Sequence, residues 1–282
     1  MRLLVTGSGG MLGLRLCESA VARGHDLVAV DRPELELDRP DEAAALLRAA
    51  RPEAVLHAAA MTDVDGAEDR EADAMRRNGD ASAALAAAAA GLGAAFLMVS
   101  TDYVFDGRGG APYGEDDPPS PRGVYARSKR RGEEGALAAG GAVARLSWSF
   151  GPGGKNFVAT IAGRLRAGDP LRVVDDQRGR PTFTRDAAPV LLDLVEARAG
   201  GVWHVCNDGD ATWFELARAV ARGLGLPDGH VSPCATEDFP RPAPRPPDSR
   251  LATGRLAAWR GALPHWTDAL RRYLEEEGWL AT

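Results

Sequence analysis

The sequence is poor in cysteine and shows no cysteine pattern. Its three cysteines, Cys17, Cys206 and Cys234, are scattered and odd in number, which argues against a disulfide framework and a C-x-x-C metal site. The five histidines show no ligand spacing, so no metal site is predicted. A reducing cytoplasm is the expected location.

The sequence also lacks an excess of basic residues and any long apolar run. The 282 residues include 34 Lys and Arg against 40 Asp and Glu, a formal net charge of −6, so nucleic acid and anionic membranes are poor partners. No apolar run approaches the ~20 residues of a membrane span, and the chain opens on a strand-like segment rather than a leader. We expect a soluble, unexported protein with one large domain or two unequal ones.

What the sequence does contain is a glycine-rich turn near its start. A strand predicted over 2–5 leads into Thr6-Gly7-Ser8-Gly9-Gly10-Met11-Leu12-Gly13, and an amphipathic helix is predicted over 14–23. Glycines at 7, 10 and 13 allow a tight turn, a close approach to a pyrophosphate and close helix packing, with the phosphates at the helix N-terminus. The pattern favours dinucleotide binding over a purely structural turn.

The residues after the second predicted strand, 27–30, bear on the choice of cofactor. Asp31 follows the glycines by about 20 residues, where a carboxylate can bind an adenosine ribose. Asp31 alone favours NAD, whereas Arg32 favours a 2′-phosphate. We therefore predict NADPH, with NADH as an alternative. Asp38 is either a residue near the adenine or an exposed loop acid.

Two later features belong to the same predicted half of the chain. Small residues after a third predicted strand let the chain pass beside a nicotinamide ribose; they are Ala58, Ala59, Ala60 and Thr62. The following helix, predicted over 72–90, contains Asn78, either a polar anchor or a solvated residue. Alternating strands and helices predict an α/β fold built on a doubly wound parallel sheet.

The apolar block 94–99 ends in hydroxyl residues, Ser100 and Thr101. This is typical of a buried parallel strand whose carboxyl end opens into a crevice. Tyr125 and Lys129 are four residues apart and share one face of a helix, where the ammonium favours the phenolate and makes the tyrosine a workable acid or base. Thr101 could hold a carbonyl oxygen at the same point. The alternative is an ordinary surface helix.

The second half of the chain is less regular. Strands are predicted over 143–148, 171–174 and 201–207, the last returning to the main sheet, and a closing helix over 267–277. We predict a Rossmann-type NAD(P)-binding domain over 1–148, to which about 183–206 returns, and a smaller α/β substrate-binding domain over 149–182 and 207–282. The proline-rich segment 240–247 is a linker in the simplest interpretation.

Several motifs together make the sequence resemble the dTDP-4-dehydrorhamnose reductase family of the extended short-chain dehydrogenase/reductases. The glycine turn and the Tyr125 to Lys129 motif are shared by the wider superfamily. The more specific motifs are S-T-D-Y-V-F-D-G at 100–107, D-Q-x-G-x-P-T at 176–182 and R-P-x-x-S-x-L at 245–251. Tyr103 lies where the related nucleotide-sugar dehydratases carry a Glu, which favours reduction without elimination.

The resemblance implies a reaction and a set of catalytic residues. Thr101, Tyr125 and Lys129 would form the catalytic triad, and NAD(P)H would deliver hydride to C4 of a dTDP-linked 4-keto-6-deoxy sugar, with Tyr125 protonating the alkoxide. The expected cofactor-binding residues are Gly7, Gly10, Met11, Leu12, Gly13, Asp31, Arg32, Asp38, Ala58, Ala59, Ala60, Thr62, Tyr125 and Lys129.

The nucleotide-sugar substrate is the expected partner, and a homodimer is one option for assembly. Its diphosphate and sugar are expected to be held by Tyr103, Trp148, Asn156, Arg245 and Ser249. The alternative is that Trp148 is a core residue and Arg245 a solvated linker residue. Two other functions remain open: a 4-ketoreductase or epimerase for another nucleotide-linked deoxysugar of antibiotic biosynthesis, and a non-catalytic, cofactor-binding regulatory subunit.

Overall fold

A computed structural model describes residues 1–109 and 112–281. The strands are β1 Arg2–Thr6, β2 Asp26–Val30, β3 Ala54–His57, β4 Ala95–Thr101, β5 Ala142–Leu146, β6 Ser149–Phe150, β7 Leu171–Val174, β8 Arg178–Gly179, β9 Thr182–Phe183, β10 Gly201–His204, β11 Ala211–Thr212 and β12 Val231–Cys234. The α-helices are α1 Met11–Ala22, α2 Pro40–Ala50, α3 Glu71–Ala74, α4 Ala81–Gly91, α5 Val124–Ala138, α6 Phe157–Arg166, α7 Thr184–Glu196, α8 Trp213–Gly223, α9 Gly254–Arg260 and α10 Trp266–Glu276.

The centre of the fold is a six-stranded sheet in the order β2-β1-β3-β4-β5-β10, with every neighbouring pair parallel. The strand order reverses direction at β1, because β2 lies on one side of it and β3 on the other. In open α/β sheets, ligands bind outside the carboxyl ends of the strands at such a switch point. The predicted α/β class, the doubly wound sheet and the return of β10 to it are confirmed.

Helices cover both faces of this sheet, so its strands are nearly continuous in apolar residues. On one face α1 and α7 pack against β1, β3 and β5, with Leu16 and Leu191 fully buried. On the other face α2, α4 and α5 supply Leu47, Leu85 and Ala136 to a second layer of core. The alanine-rich α4 lies closely on its neighbours because its side chains are short.

A separate, smaller core lies beyond β5. Its members come from β6, β7, β9, α6, α8 and α10 and include Phe150, Phe183 and Tyr273, whose rings contact one another. Short strand pairs border this core: β6 with β9, β7 with β12, and β8 with β11. In the described part of the chain no helix is long and apolar enough to cross a bilayer.

Several predicted elements differ from the structure in their bounds, among them the strand predicted over 201–207, which ends at His204. Helix α1 begins at Met11 rather than Leu14, directly after the glycine turn. The helix predicted over 72–90 contains a π-helical turn, Met75–Asp80. Strand β5 ends at Leu146 rather than Trp148, because Trp148 has a φ of 46° and turns the chain away from the sheet.

Candidate active site

The turn between β1 and α1 requires glycine at two positions. Gly7 has a φ of 69°, and a Cβ there would lie 2.8 Å from the backbone of Ala59. A Cβ on Gly13 would lie 1.9 Å from the Gly7 carbonyl oxygen. No side chain caps the start of α1, and its first turn holds no acid. The free N–H groups at this helix terminus therefore suit an anion such as a pyrophosphate.

Asp31 lies beside this turn. Its carboxylate accepts hydrogen bonds from the N–H of Gly9 at 2.7 Å and from the N–H of Arg32 at 2.8 Å. The Arg32 side chain is exposed. The predicted pair of a ribose-binding acid and a phosphate-binding cation is therefore brought together at the mouth of the site, with Asp31 also ordering the glycine turn.

Asp38 is an ion-paired residue rather than a solvated loop acid. Arg77 donates to its carboxylate at 2.6 Å, and this hydrogen bond, together with the charges of Arg77 and Arg76, holds the pKa of Asp38 below its usual range. A contact between Asp38 and adenine stays a prediction.

The chain after β3 is aligned by buried side chains of the strands. Thr6 Oγ1 lies 2.8 Å from Nδ1 of His57 and accepts the N–H of Ala59 at 3.2 Å. Burial, and then the charge of Lys129, lowers the pKa of His57 to about 3. His57 is thus a neutral, packed residue of β3. The alanines 58–60 are held beside the glycine turn, whereas Thr62 is exposed.

Asn78 is a buried polar anchor. Its side chain accepts the N–H of Met61 at 2.7 Å and donates to the Met61 carbonyl at 3.0 Å and to Ser128 Oγ at 2.9 Å. Ser128 in turn donates to the Tyr125 carbonyl at 2.8 Å. The π-helical turn that carries Asn78 therefore connects the chain after β3 to the helix turn that carries Tyr125.

Thr101 and Tyr125 meet at the carboxyl end of β4. The Thr101 hydroxyl lies beside the Tyr125 phenol, and it accepts the N–H of Tyr103 at 3.2 Å. Burial, and then the negative charge of Asp102, raises the pKa of Tyr125 to about 12 although the neighbouring Thr101 hydroxyl lowers it. The expected lowering of this pKa is therefore wrong for the free protein. The phenol is protonated at neutral pH, which is the form that a proton donor needs.

Lys129 lies one helical turn beyond Tyr125 and is 3% exposed. Its ammonium donates to the Val99 carbonyl of β4 at 2.8 Å. Burial lowers the pKa of Lys129 to about 8, although the charge of Glu133 acts in the opposite direction. The ammonium thus lies under the strand end rather than against the phenol.

A buried ion pair supports this part of the site. Glu133 of α5 and Arg145 of β5, at 0% and 1% exposed, form two hydrogen bonds of 2.8 Å. Ser100 Oγ also donates to Glu133, at 2.7 Å. The pair therefore connects α5 to the ends of β4 and β5, next to Thr101.

A proline-rich segment, residues 240–251 and here called the strap, crosses the carboxyl end of the sheet. Arg245 of the strap donates to the Asp65 carboxylate, and the Ala243 N–H donates to the same group at 3.2 Å. Arg245 also lies beside Tyr103, whose ring centroid is 6.4 Å from that of Tyr125. The small cavity under the strap is lined by Val64, Tyr103, Phe105, Asp106, Arg122, Gly123, Tyr125, Ala126, Ala243, Pro244 and Pro246. The strap is therefore part of the site, not a solvated linker.

Two residues predicted to touch the substrate are instead buried connectors. Ser249 is 1% exposed and donates to Asp102 at 2.5 Å. Asn156 caps α6 by accepting the Ala159 N–H at 2.9 Å, and its amide donates to the Gly151 carbonyl at 2.9 Å. Because their polar atoms are already used inside the protein, these two side chains order loops around the crevice.

Trp148 is half-buried at the edge of the smaller core. Its ring stacks on Trp213 with the centroids 3.5 Å apart, and a Cβ on Gly179 would collide with it. The ring is therefore fixed by packing, close to but not within the group formed by Thr101, Tyr125 and Tyr103.

The sequence reasoning missed Asp102 as a residue of the site. Asp102 is 2% exposed and accepts hydrogen bonds from Thr101 at 3.2 Å and from Ser147 at 3.0 Å, besides that from Ser249. Its place between Thr101 and Tyr103 was the available signal. Among the described residues, no group of three or more His, Cys, Asp or Glu side chains could hold a metal ion.

Comparisons with known proteins agree with this geometry. The family model described as the RmlD substrate binding domain matches residues 1–278. A Mycobacterium tuberculosis (strain ATCC 25618 / H37Rv) protein named dTDP-4-dehydrorhamnose reductase is 43% identical over 279 residues, which cover 95% of this chain and 91% of the relative. A Streptomyces antibioticus protein named probable dTDP-4,6-dihydroxy-2-methyloxan-3-one 4-ketoreductase is 40% identical over 283 residues, 96% of this chain and 94% of the relative.

A solved structure is similar over the same length. The dTDP-4-dehydrorhamnose reductase of Bacillus anthracis, in complex with NADP, matches with a TM-score of 0.93 and 30% identity, covering 98% of this chain and 99% of that one. Sequence and structure therefore agree along nearly the whole chain. The glycine turn and the pair formed by Thr101 and Tyr125 agree with these matches. The chain belongs to the RmlD family of dTDP-4-dehydrorhamnose reductases.

Proposed function

We propose that this protein is an NAD(P)H-dependent oxidoreductase that reduces the C4 ketone of a dTDP-4-keto-6-deoxy sugar, as in the conversion of dTDP-4-dehydrorhamnose to dTDP-rhamnose. One observation carries the proposal: Thr101 and Tyr125 lie side by side at the carboxyl end of β4, with the Lys129 ammonium on the Val99 carbonyl of the same strand and a small cavity lined by Tyr125. A reductase of this kind needs a proton donor and a second hydroxyl at one carbonyl oxygen.

The residues present fit a dinucleotide cofactor. The uncapped start of α1 supplies N–H groups for a diphosphate, and Gly7 and Gly13 keep the backbone free of side chains there. Asp31 and Arg32 are suited to the adenosine ribose and a 2′-phosphate, and Ala58, Ala59 and Ala60 leave room beside the turn. When bound, NADPH supplies a hydride for C4 of the sugar.

The protein's own residues then manage the oxygen and its proton. Thr101 and Tyr125 hold the C4 oxygen between two hydroxyls, and Tyr125 transfers its phenolic proton to that oxygen as the C4–H bond forms. The ketone is reduced to an alcohol and the phenol becomes a phenolate. Lys129, one helical turn beyond Tyr125, is suited to hold the cofactor ribose. Solvent returns the proton to Tyr125 before the next turnover.

The substrate diphosphate is assigned to the strap. Arg245 offers a planar fork of donors, and it lies beside Tyr103, which lines the cavity, so it can exchange the Asp65 carboxylate for phosphate oxygens. Tyr103 is suited to contact the sugar. Trp148 contributes a fixed ring farther out, and Asn156 and Ser249 act indirectly by ordering the loops around it.

A second candidate is a 4-ketoreductase for a different nucleotide-linked deoxysugar. The observation in its favour is the 40% identity to the Streptomyces antibioticus 4-ketoreductase, close to the 43% found for the Mycobacterium tuberculosis protein. Both candidates use the same proton donor and differ only in the sugar.

The separation of the hydrophobic cores supports a domain division near 1–148 with about 183–206, against 149–182 and 207–282, of which residue 282 lies outside the described residues. Two residues of the second part, Leu256 and Leu263, pack in the core of the main sheet, and Phe183 packs in the other core. A homodimer and a cytoplasmic location stay predictions.

Cofactor oxidation in the presence of a panel of nucleotide-linked 4-keto sugars tests the function. NADPH absorbance at 340 nm should fall only when a 4-keto sugar is present, and product analysis should show the alcohol at C4. Turnover with one sugar alone selects between the two candidates. Tight NADPH binding without turnover on any of the sugars would instead support a non-catalytic binding subunit.

A further inference from the structure

Asp102 is a buried carboxylate that the proposed reaction does not use. It is 2% exposed, and it has no ion-pair partner in the described part of the chain. Burying a charge without a cation is costly, and the cost is tolerable only where hydrogen bonds surround the group. Asp102 has such bonds, from three hydroxyl groups.

The three hydroxyls come from three separate parts of the site. Thr101 lies at the end of β4. Ser147 follows β5 and also accepts the Arg180 N–H at 3.2 Å. Ser249 lies in the strap, and its N–H donates to the Arg178 carbonyl at 2.9 Å. One carboxylate therefore joins the three family-specific sequence motifs.

The connection to Ser249 bears on the substrate. Arg245, which is assigned to the diphosphate, precedes Ser249 by four residues in the same strap. Gly107, at the end of the segment that begins with Ser100, packs directly on Pro246 and Pro247, where a Cβ would approach to 2.6 Å. The strap thus has little freedom between these points, so moving Ser249 would move Arg245.

We propose that Asp102 is a positioning residue of the reductase. By accepting the hydroxyl protons of Thr101, Ser147 and Ser249, it fixes the position of the strap relative to the end of β4, where Thr101 lies beside the proton donor Tyr125. This inference rests on the function proposed above. It assigns to Asp102 no contact with substrate or cofactor.

The charge of Asp102 has a second effect on the same site. It raises the pKa of both Tyr125 and Tyr103, after burial, and so helps to keep the proton on the donor. It also raises the pKa of the buried Cys206. Two cations act in the opposite direction to Asp102: Arg245 lowers the pKa of Tyr103, and Arg180 lowers the pKa of Cys206.

Asp102→Asn tests the proposal, because it keeps the shape and removes the charge. We expect kcat to fall on the order of 10–100-fold, with an unchanged Kd for NADPH measured by fluorescence. The KM for the nucleotide sugar should also rise, because Arg245 of the strap is no longer held in place. A role confined to stability would leave that KM unchanged. Asp116→Asn, which removes an exposed carboxylate, is the matched control for charge and should change none of these values.

Hydrogen exchange measures the strap without any turnover. The peptide that contains the N–H groups of Ser249 and Ala252, which donate to the carbonyls of Arg178 and Tyr113, should exchange faster in Asp102→Asn than in the wild type. The peptides of α7 should exchange at an equal rate in both. Equal strap exchange together with an unchanged KM for the nucleotide sugar would overturn the proposal.

Failure of the proposed function and failure of this inference give different results. If the wild-type protein reduces no 4-keto sugar, the proposed function fails, while strap exchange still decides whether Asp102 holds the strap. If Asp102→Asn does not fold, Ser249→Ala removes the strap connection alone. That variant should show faster strap exchange and a raised KM for the nucleotide sugar, and wild-type values for both exchange and KM would overturn the proposal.

Discussion

Replacing Glu133 by Gln should lower the stability of the protein and should also lower the pKa of Lys129. Glu133 is 0% exposed and accepts two hydrogen bonds from Arg145, one from Ser100 and one from Arg130. A glutamine has nearly the same shape but no charge. The guanidinium of Arg145, itself 1% exposed, would lose its only carboxylate partner in the described structure.

The expected loss of stability follows from this burial. Removing one partner of a buried ion pair typically costs about 3–5 kcal/mol, because the remaining charge stays buried without compensation. For a chain of this size each kcal/mol corresponds to roughly 2 °C in Tm, so Tm should fall by about 6–10 °C. The double variant Glu133→Gln with Arg145→Met removes both charges and should recover much of the loss, since a buried pair can be replaced by apolar side chains at little net cost.

The loss of stability in Glu133→Gln should depend on pH. Burial alone would raise the pKa of Glu133, but hydrogen bonds and the charge of Arg145 outweigh it and hold the pKa below the ordinary value of 4.5. A lowered folded-state pKa adds stability above pH 4.5 that is lost as the pH falls. The difference in Tm between wild type and Glu133→Gln should therefore be largest near neutral pH and shrink in acid.

Glu133 also raises the pKa of Lys129, one helical turn away. Without that charge, the pKa of Lys129 should fall below its value of about 8, so the basic limb of the kcat/KM pH profile should move to lower pH. Thermal unfolding by circular dichroism and steady-state kinetics at several pH values test both effects. A Tm loss under about 2 °C with an unmoved profile would refute the buried-pair reasoning.

The remaining predictions concern the reaction and its ligands. Tyr125→Phe should lower kcat by ~10²–10⁴-fold with the Kd for NADPH within a few-fold, and near-normal kcat would remove Tyr125 as the acid; Lys129→Met should damage both turnover and cofactor binding. Arg32→Ala should weaken NADPH binding more than NADH binding in fluorescence titrations, and an equal loss for both would contradict the 2′-phosphate assignment. Arg245→Ala should raise KM for the nucleotide sugar and leave NADPH binding unchanged. The largely exposed strap residue Arg241 provides the matched variant, Arg241→Ala, and equal KM values for the two variants would return the strap to the linker interpretation.

The fold was predictable because its signals are local in sequence. Three segments carry most of the signal: the glycine turn, the strand before Asp31 and the apolar block before Ser100. In each, a hydrophobic pattern, the end of an element and a residue with a defined role lie within about ten positions. The parallel sheet order then follows from the alternation of strands and helices. The spacing of Tyr125 and Lys129 likewise depends only on the geometry of one helix.

The rest of the site depends on contacts between distant segments. Little near Asn78 or Asp102 in the sequence shows that these side chains are buried, because, apart from Thr101, the side-chain partners described for them lie 17 to 147 residues away. Ser249 and Asn156 carry the right chemistry for a substrate, but packing directs their polar atoms inward. The pKa of Tyr125 was predicted in the wrong direction because burial and Asp102 cannot be read from helix spacing.

The most direct test of the central claim follows a labelled hydrogen. The protein is supplied with NADPH carrying deuterium at the transferable position and with a dTDP-4-keto-6-deoxy sugar, and the product is analysed by NMR. The account predicts one deuterium at C4 of a sugar alcohol in the wild-type reaction, and little or none with Tyr125→Phe over the same time. A ketone that persists while NADPH stays reduced, or a product without deuterium at C4, would contradict it.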